Sequence, residues 1–132
     1  KRAIPMADFH RLPGNTPDIE TALAPGEFIT SVVLPKPLGG THIYRKVRDR
    51  TSYAFAVLSV AAVFDKQGET RFAFGGLAHK PWRVEAADAL GSRGAAAVAE
   101  AALAGAKTTE QNAFKIDLTQ RTLAAVFAQK EA

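Results

Sequence analysis

Four cations stand close together at Arg45, Lys46, Arg48 and Arg50, with His42 just ahead of them and an apolar run from Ala54 just behind. Such a cluster can grip an anionic cofactor, track nucleic-acid phosphates, or form a solvated strand end with cross-strand ion pairs. Tyr44 and Tyr53 supply interleaved aromatics, as a nucleic-acid surface would. Against that reading, Asp49 interrupts the run, and no RNP motif or helix-turn-helix accompanies it. Lys46 is the odd member. Strand alternation sets it on one side with Tyr44, next to the apolar run, where an ammonium must snorkel or meet an anion.

Other chemistries find no residues to carry them. The chain has no cysteine, so it holds no disulfide, thiolate zinc site or cysteine-ligated iron–sulfur cluster of its own. His10, His42 and His79 are scattered and form no H-x-x-x-H or H-E-x-x-H, so no metal ligands are assigned. There is no G-x-S-x-G elbow, and no catalytic residue is assigned. Neither phosphate-loop pattern occurs. Gly39-Gly40 and Gly75-Gly76 are isolated pairs, and the second suggests a bulge or a close approach of backbone or ligand.

These residues need a scaffold. With 132 residues, 47% of them hydrophobic, the chain suffices for one domain with one core. A mean hydropathy of -0.06 reads as soluble and globular. The net charge of +4 suits anionic ligands or nucleic acid without demanding either. The longest apolar run, Ala54 to Phe64, falls short of the ~20 residues of a membrane span. The opening KRAIPMADFH has neither a Met start nor an apolar signal core, which reads as a fragment or a processed piece. The compartment expected is the cytoplasm, with the periplasm as the alternative.

The order of elements follows from period and punctuation. Residues 1 to 26 are turn-rich, with one helical turn expected at TPDIETAL. FITSVVLP, residues 28 to 35, reads as a strand ending at a proline. THIYRKVRD reads as the next strand. SYAFAVLSVAAVFD reads as a third, apolar on both faces and therefore central and covered on both sides. A turn at Gln67-Gly68 leads into TRFAFGGLA. Pro81 is placed to open a helix over PWRVEAADAL, and GAAAVAEAALAGA forms a second that stops near Gly105. Asn112 or Asp117 caps a third, with Leu118, Leu123, Ala124 and Phe127 as its apolar stripe. Strands first and helices after predict an α+β fold: an antiparallel three- to four-stranded meander followed by about three helices on one face. Residues alone thus give an α+β domain that could hold an anion.

Four ordered motifs add to this: L-x-P-G-E-F-I-T-S-V-x-L-P, Y-R-K-V-R-x-R-x-S-Y-A-F-A-V-x-S-V-A-A, F-G-G-L-A-x-K-P-W-R and N-A-F-K-I-x-L. Together they closely resemble the C-terminal half of the FAD-binding medium subunit of the xanthine dehydrogenase and carbon monoxide dehydrogenase family, the molybdenum hydroxylases. The spelling is most similar to bacterial aldehyde or xanthine dehydrogenase flavoprotein subunits. The resemblance implies that residues 1–25 are a linker tail from a missing N-terminal FAD-binding domain, and residues 26–132 the C-terminal domain. It implies FAD in the complete subunit, with Ile29 packed against the flavin and Lys46 beside it, stabilising negative charge on the reduced ring. Tyr44 and Arg50 are weaker candidates, and Trp82 and Asn112 look structural. Molybdopterin and iron–sulfur clusters are expected on partners: a large molybdopterin subunit and a small iron–sulfur subunit. Electrons would pass through the clusters to FAD and on to an acceptor, as part of a multi-subunit oxidoreductase that the fragment alone does not constitute. No nucleic acid and no membrane span are expected among its partners. The alternative is a non-enzymatic interaction domain whose basic strand meets nucleic acid or a partner subunit. A third reading is a domain that only braces subunit contacts.

Overall fold

Leu58, Val60, Ala62 and Phe64 alternate along one stretch, and all four are buried. That stretch becomes the middle of a sheet. In the computed structural model, which describes residues 1–131, β1 (Thr41–Val47), β2 (Leu58–Phe64) and β3 (Thr70–Gly75) form an antiparallel meander in the order β1-β2-β3. The register pairs Ile43 with Ala62 and Ala62 with Phe72, so one face of the sheet collects Ile43, Val60, Phe64, Phe72 and Phe74. The β2–β3 turn is built by Asp65, whose Oδ1 accepts from the amides of Gln67 (2.9 Å) and Glu69 (2.8 Å). Gly68 takes φ +89° there, a conformation that glycine enters without a Cβ clash.

The helices follow the strands: α2 (Glu85–Asp88), a 3-10 turn (Gly91–Arg93), α3 (Ala95–Leu103) and α4 (Phe114–Glu131). Ala87, Val98, Ala99, Ala102, Leu123 and Val126 join the sheet's apolar face in a single cluster. The fold is α+β, as the order of elements predicts. Phe64, Phe72 and Phe127 form an aromatic knot: Phe64 meets both others edge-on, at 5.8 and 5.2 Å between centroids, and Phe72 stacks on Phe127 at 5.8 Å.

Several details differ from the expectation. The central strand begins at Leu58, not Ser52. Residues 48–57 form a loop in which Tyr53 takes φ +51° and its carbonyl accepts from Arg50. Pro81 opens no helix. The Trp82 amide and carbonyl pair with Phe74 (2.8 and 2.9 Å), which commits the backbone to an extended course and delays α2 to Glu85. Asn112 does not cap α4; its Oδ1 accepts from the Thr109 amide at 2.7 Å and closes the turn before the helix. Asp117 lies inside the helix and pairs with Arg121 at 3.4 Å. The buried stripe of α4 is Thr119, Thr122, Leu123 and Val126, while Ala124 is exposed. Both threonine hydroxyls donate to carbonyls four residues back, each at 2.7 Å, so they enter the core satisfied.

The chain divides into two compact units, Lys1–Pro37 and Leu38–Ala132, and the sheet and α2–α4 lie in the second. The first holds α1 (Met6–Phe9) and a bridge between His10 and Thr21. The helical turn thus falls at Met6–Phe9 and not at TPDIETAL, where Pro17 and Asp18 favour turns. Phe28–Pro35 is not a strand. Its unit offers no strand to pair with, and Phe28, Ile29, Val32, Val33 and Leu34 are all exposed.

Arg2 ties this unit together. Its guanidinium donates to the Ala22 carbonyl (2.6 Å) and to both Glu27 oxygens (3.0 and 2.6 Å). The hydrogen bond from Arg2, then that from the Ala24 amide, holds the Glu27 carboxyl down to about 2. A folded-state pKa below the unfolded one gives stability that is present above the ordinary carboxylate range and is lost as pH falls through the folded value. A carbon-detected NMR titration should therefore find Glu27 protonating near pH 2, and in Arg2→Ala at a higher pH, still below the ordinary glutamate value while the Ala24 amide bond remains. An ordinary midpoint in the unmodified chain would contradict the clamp.

Candidate functional site

Helices α2–α4 pack against one side of the sheet, and the residues of this unit that could do chemistry stand on the other. The register sets two rows across the three strands: Tyr44–Ala61–Ala73 and Lys46–Ser59–Gly75. Opposed residues in such rows lie about 5 Å apart. Tyr44 and Lys46, both exposed, rise from β1 as the tall members. The β2 and β3 positions beside them are among the smallest residues available. The result is a low floor of two rows, about 10 Å across the strands, walled on one side by an aromatic ring and an ammonium.

Gly75 keeps that floor low. A Cβ built on it would lie 2.5 Å from Ser59 Oγ, closer than two such atoms can stand. Ser59 itself is only 8% exposed, yet its hydroxyl is engaged by no donor or acceptor among the described residues. Lys46 takes part in no salt bridge among them either.

The predicted site residues therefore fall as follows. Lys46 lies on this face of the second unit, with Tyr44 two residues before it on the same side. Ile29 belongs to the first unit, on an exposed segment, at 56% relative exposure. Arg50 holds the loop after β1 through the Tyr53 carbonyl. Trp82 is structural: its Nε1 donates to the Ala102 carbonyl at 3.0 Å, tying the end of α3 to the sheet. Arg45 alternates to the helix side of β1 and Lys46 to the far side, so the cations of this strand do not form one track. Ser59 and Gly75 were not singled out as site residues. The signal for Ser59 was present, as the only polar residue in the Leu58–Phe64 run, but its meaning depends on the register.

A second concavity of about 250 Å³ lies between Trp82, Ala102 and the start of α4. Of its two lysines, Lys107 and Lys115, the second is committed to the Gly76 carbonyl at 2.6 Å. No group of three metal-capable side chains occurs among the described residues, and no helix of theirs is long and apolar enough to cross a membrane.

A planar, partly anionic ring system fits the described face. The floor admits a flat group, Tyr44 offers an aromatic edge, and Lys46 offers a charge in no salt bridge among the described residues.

No family model matches the chain. It is 60% identical over 131 residues, 99% of its length, to a protein described as the aldehyde oxidoreductase FAD-binding subunit PaoB of Escherichia coli (strain K12). The chain spans 41% of the length of that relative. The resemblance read from the motifs is borne out by this likeness.

Proposed function

We propose that the chain is the C-terminal domain of an FAD-binding subunit of an aldehyde oxidoreductase, and that its helix-free sheet face closes one side of the flavin. The observation that carries this is the 60% identity over 131 residues to a subunit of that description. Residues 1–25 are then the tail of a connecting segment from an FAD-binding domain, and residues 26–132 the C-terminal domain. When bound, FAD takes up electrons and hands them to an acceptor.

The chain's own residues bind and tune. Lys46 places a positive charge over the floor, where negative charge on a reduced ring is favoured. Ile29 offers an aliphatic surface that excludes water from a ring face. Tyr44 guards the floor on the Lys46 side. The remaining centres fall to partners: iron–sulfur clusters on a small subunit and molybdopterin on a large one, as in the xanthine dehydrogenase group of molybdenum hydroxylases. A chain without cysteine agrees with that division. The nucleic-acid reading is not favoured, because Arg45 and Lys46 project from opposite faces of β1 and leave no continuous basic track.

Lys46→Ala in the complete subunit tests the reading. Losing one charge-assisted contact, about 1.5–3 kcal/mol, should weaken FAD binding roughly tenfold or more. The midpoint potential should fall, since the reduced ring loses its counter-charge. Unchanged FAD content and unchanged potential would remove Lys46 from the site.

A further inference from the structure

We infer that the Ser59 hydroxyl is a second polar contact for the flavin, kept available by Gly75; the inference rests on the proposed function above. Three observations converge on it. Ser59 is the only polar residue in β2, and it sits directly between Lys46 and Gly75 in the register. At 8% exposure it is nearly buried, a setting in which hydroxyls ordinarily find a partner. Its Oγ has none among the described residues, and no side-chain polar atom there is both sealed from solvent and unpartnered. The hydroxyl is therefore open to solvent and free to meet a ligand.

An alanine would suit a purely structural position better. Ala61 occupies the equivalent place in the neighbouring row without a polar group. Gly75 sharpens the point, because any side chain there would run into Ser59 Oγ at 2.5 Å and turn the hydroxyl away. Gly75 carries no left-handed φ, so its backbone conformation does not call for glycine. What remains is the space above Ser59. A hydroxyl is donor and acceptor at once, so it can meet either kind of heteroatom on an isoalloxazine edge, beside an ammonium that only donates. Lys46 supplies charge and Ser59 supplies direction.

The test uses the complete subunit with Ser59→Ala, Gly75→Ala and Lys46→Ala, read by FAD affinity from fluorescence quenching and by the flavin absorption bands. A neutral hydrogen bond is worth about 0.5–1.5 kcal/mol, or roughly a two- to tenfold change in affinity. Ser59→Ala should weaken FAD about fivefold within that range and shift the absorption bands, with an unaltered melting temperature for the apo subunit. Gly75→Ala should do the same while the serine is still present. If Lys46→Ala weakens FAD but Ser59→Ala changes neither affinity nor spectrum, the serine contact is wrong and the proposed function stands. If none of the three changes FAD binding, the sheet face is not a flavin wall and both readings fall.

Discussion

Phe72→Ala should lower the unfolding free energy of the chain by about 3–5 kcal/mol, the cost usual for emptying a fully buried phenylalanine site. Phe72 is 0% exposed and sits on β3 with its ring between two others. It meets Phe64 edge-on and stacks on Phe127, both at 5.8 Å. Those three rings join β2, β3 and α4, so the cavity would open where three elements meet. Aromatic pairs add about 0.5–1.5 kcal/mol beyond area burial, which favours the upper part of the range. Phe127 is only partly buried, and Phe127→Ala should cost less. Trp82 is the single tryptophan and lies within the same cluster, so its fluorescence in urea reports both variants. A loss below about 1 kcal/mol for Phe72→Ala would mean that the knot collapses to refill the space.

Asp88→Ala should cost about 2–3 kcal/mol, mainly by orphaning a backbone amide. Asp88 Oδ1 accepts from the Phe72 amide at 2.7 Å, and its other oxygen accepts from Arg83. Arg83 in turn donates to the Phe72 carbonyl at 3.0 Å. Two side chains thus complete the hydrogen bonding of one strand residue. The ion pair itself adds little, since the Arg83 side chain is 44% exposed. Asp88→Asn keeps an acceptor for the Phe72 amide, so it should lose well under half as much. Equal losses in the two variants would show that charge, and not the amide, is what matters. Hydrogen exchange at Phe72 gives a second reading, expected to quicken in Asp88→Ala and to change little in Asp88→Asn.

The sequence made β1 readable because alternation over seven residues assigns faces without knowledge of a partner. Lys46 and Tyr44 could be placed together on one side for that reason. PWRVEAADAL misled because a proline followed by apolar residues at helical spacing is a helix-start pattern. The competing commitment, Trp82 pairing with Phe74, lies eight residues back and leaves no local trace. Thr119 and Thr122 read as polar because their hydroxyls are polar; only the helix lets each bond its own backbone and enter the core. FITSVVLP has strand propensity but no partner in its unit. The Gly75-Gly76 pair suggests a close approach from sequence alone, but what Gly75 makes room for, and Ser59 itself, become meaningful only through a register across three strands, which single-strand patterning does not contain. Ile29 was named through the family resemblance, and no local pattern distinguishes it from Val32 or Val33.

The motif F-G-G-L-A-x-K-P-W-R carries a consequence for how the sheet can grow. Trp82 pairs with Phe74, while Arg83 and Asp88 serve Phe72, so the β3 margin offers few free backbone groups to an incoming strand. At the opposite margin β1 has no neighbouring strand among the described residues, and its outward course bears Arg45 and Lys46. Long cations at a free margin discourage unplanned pairing. The sheet is thus a capped ribbon: finished on one side by its own chain, and on the other open only to a neighbour that tolerates positive charge.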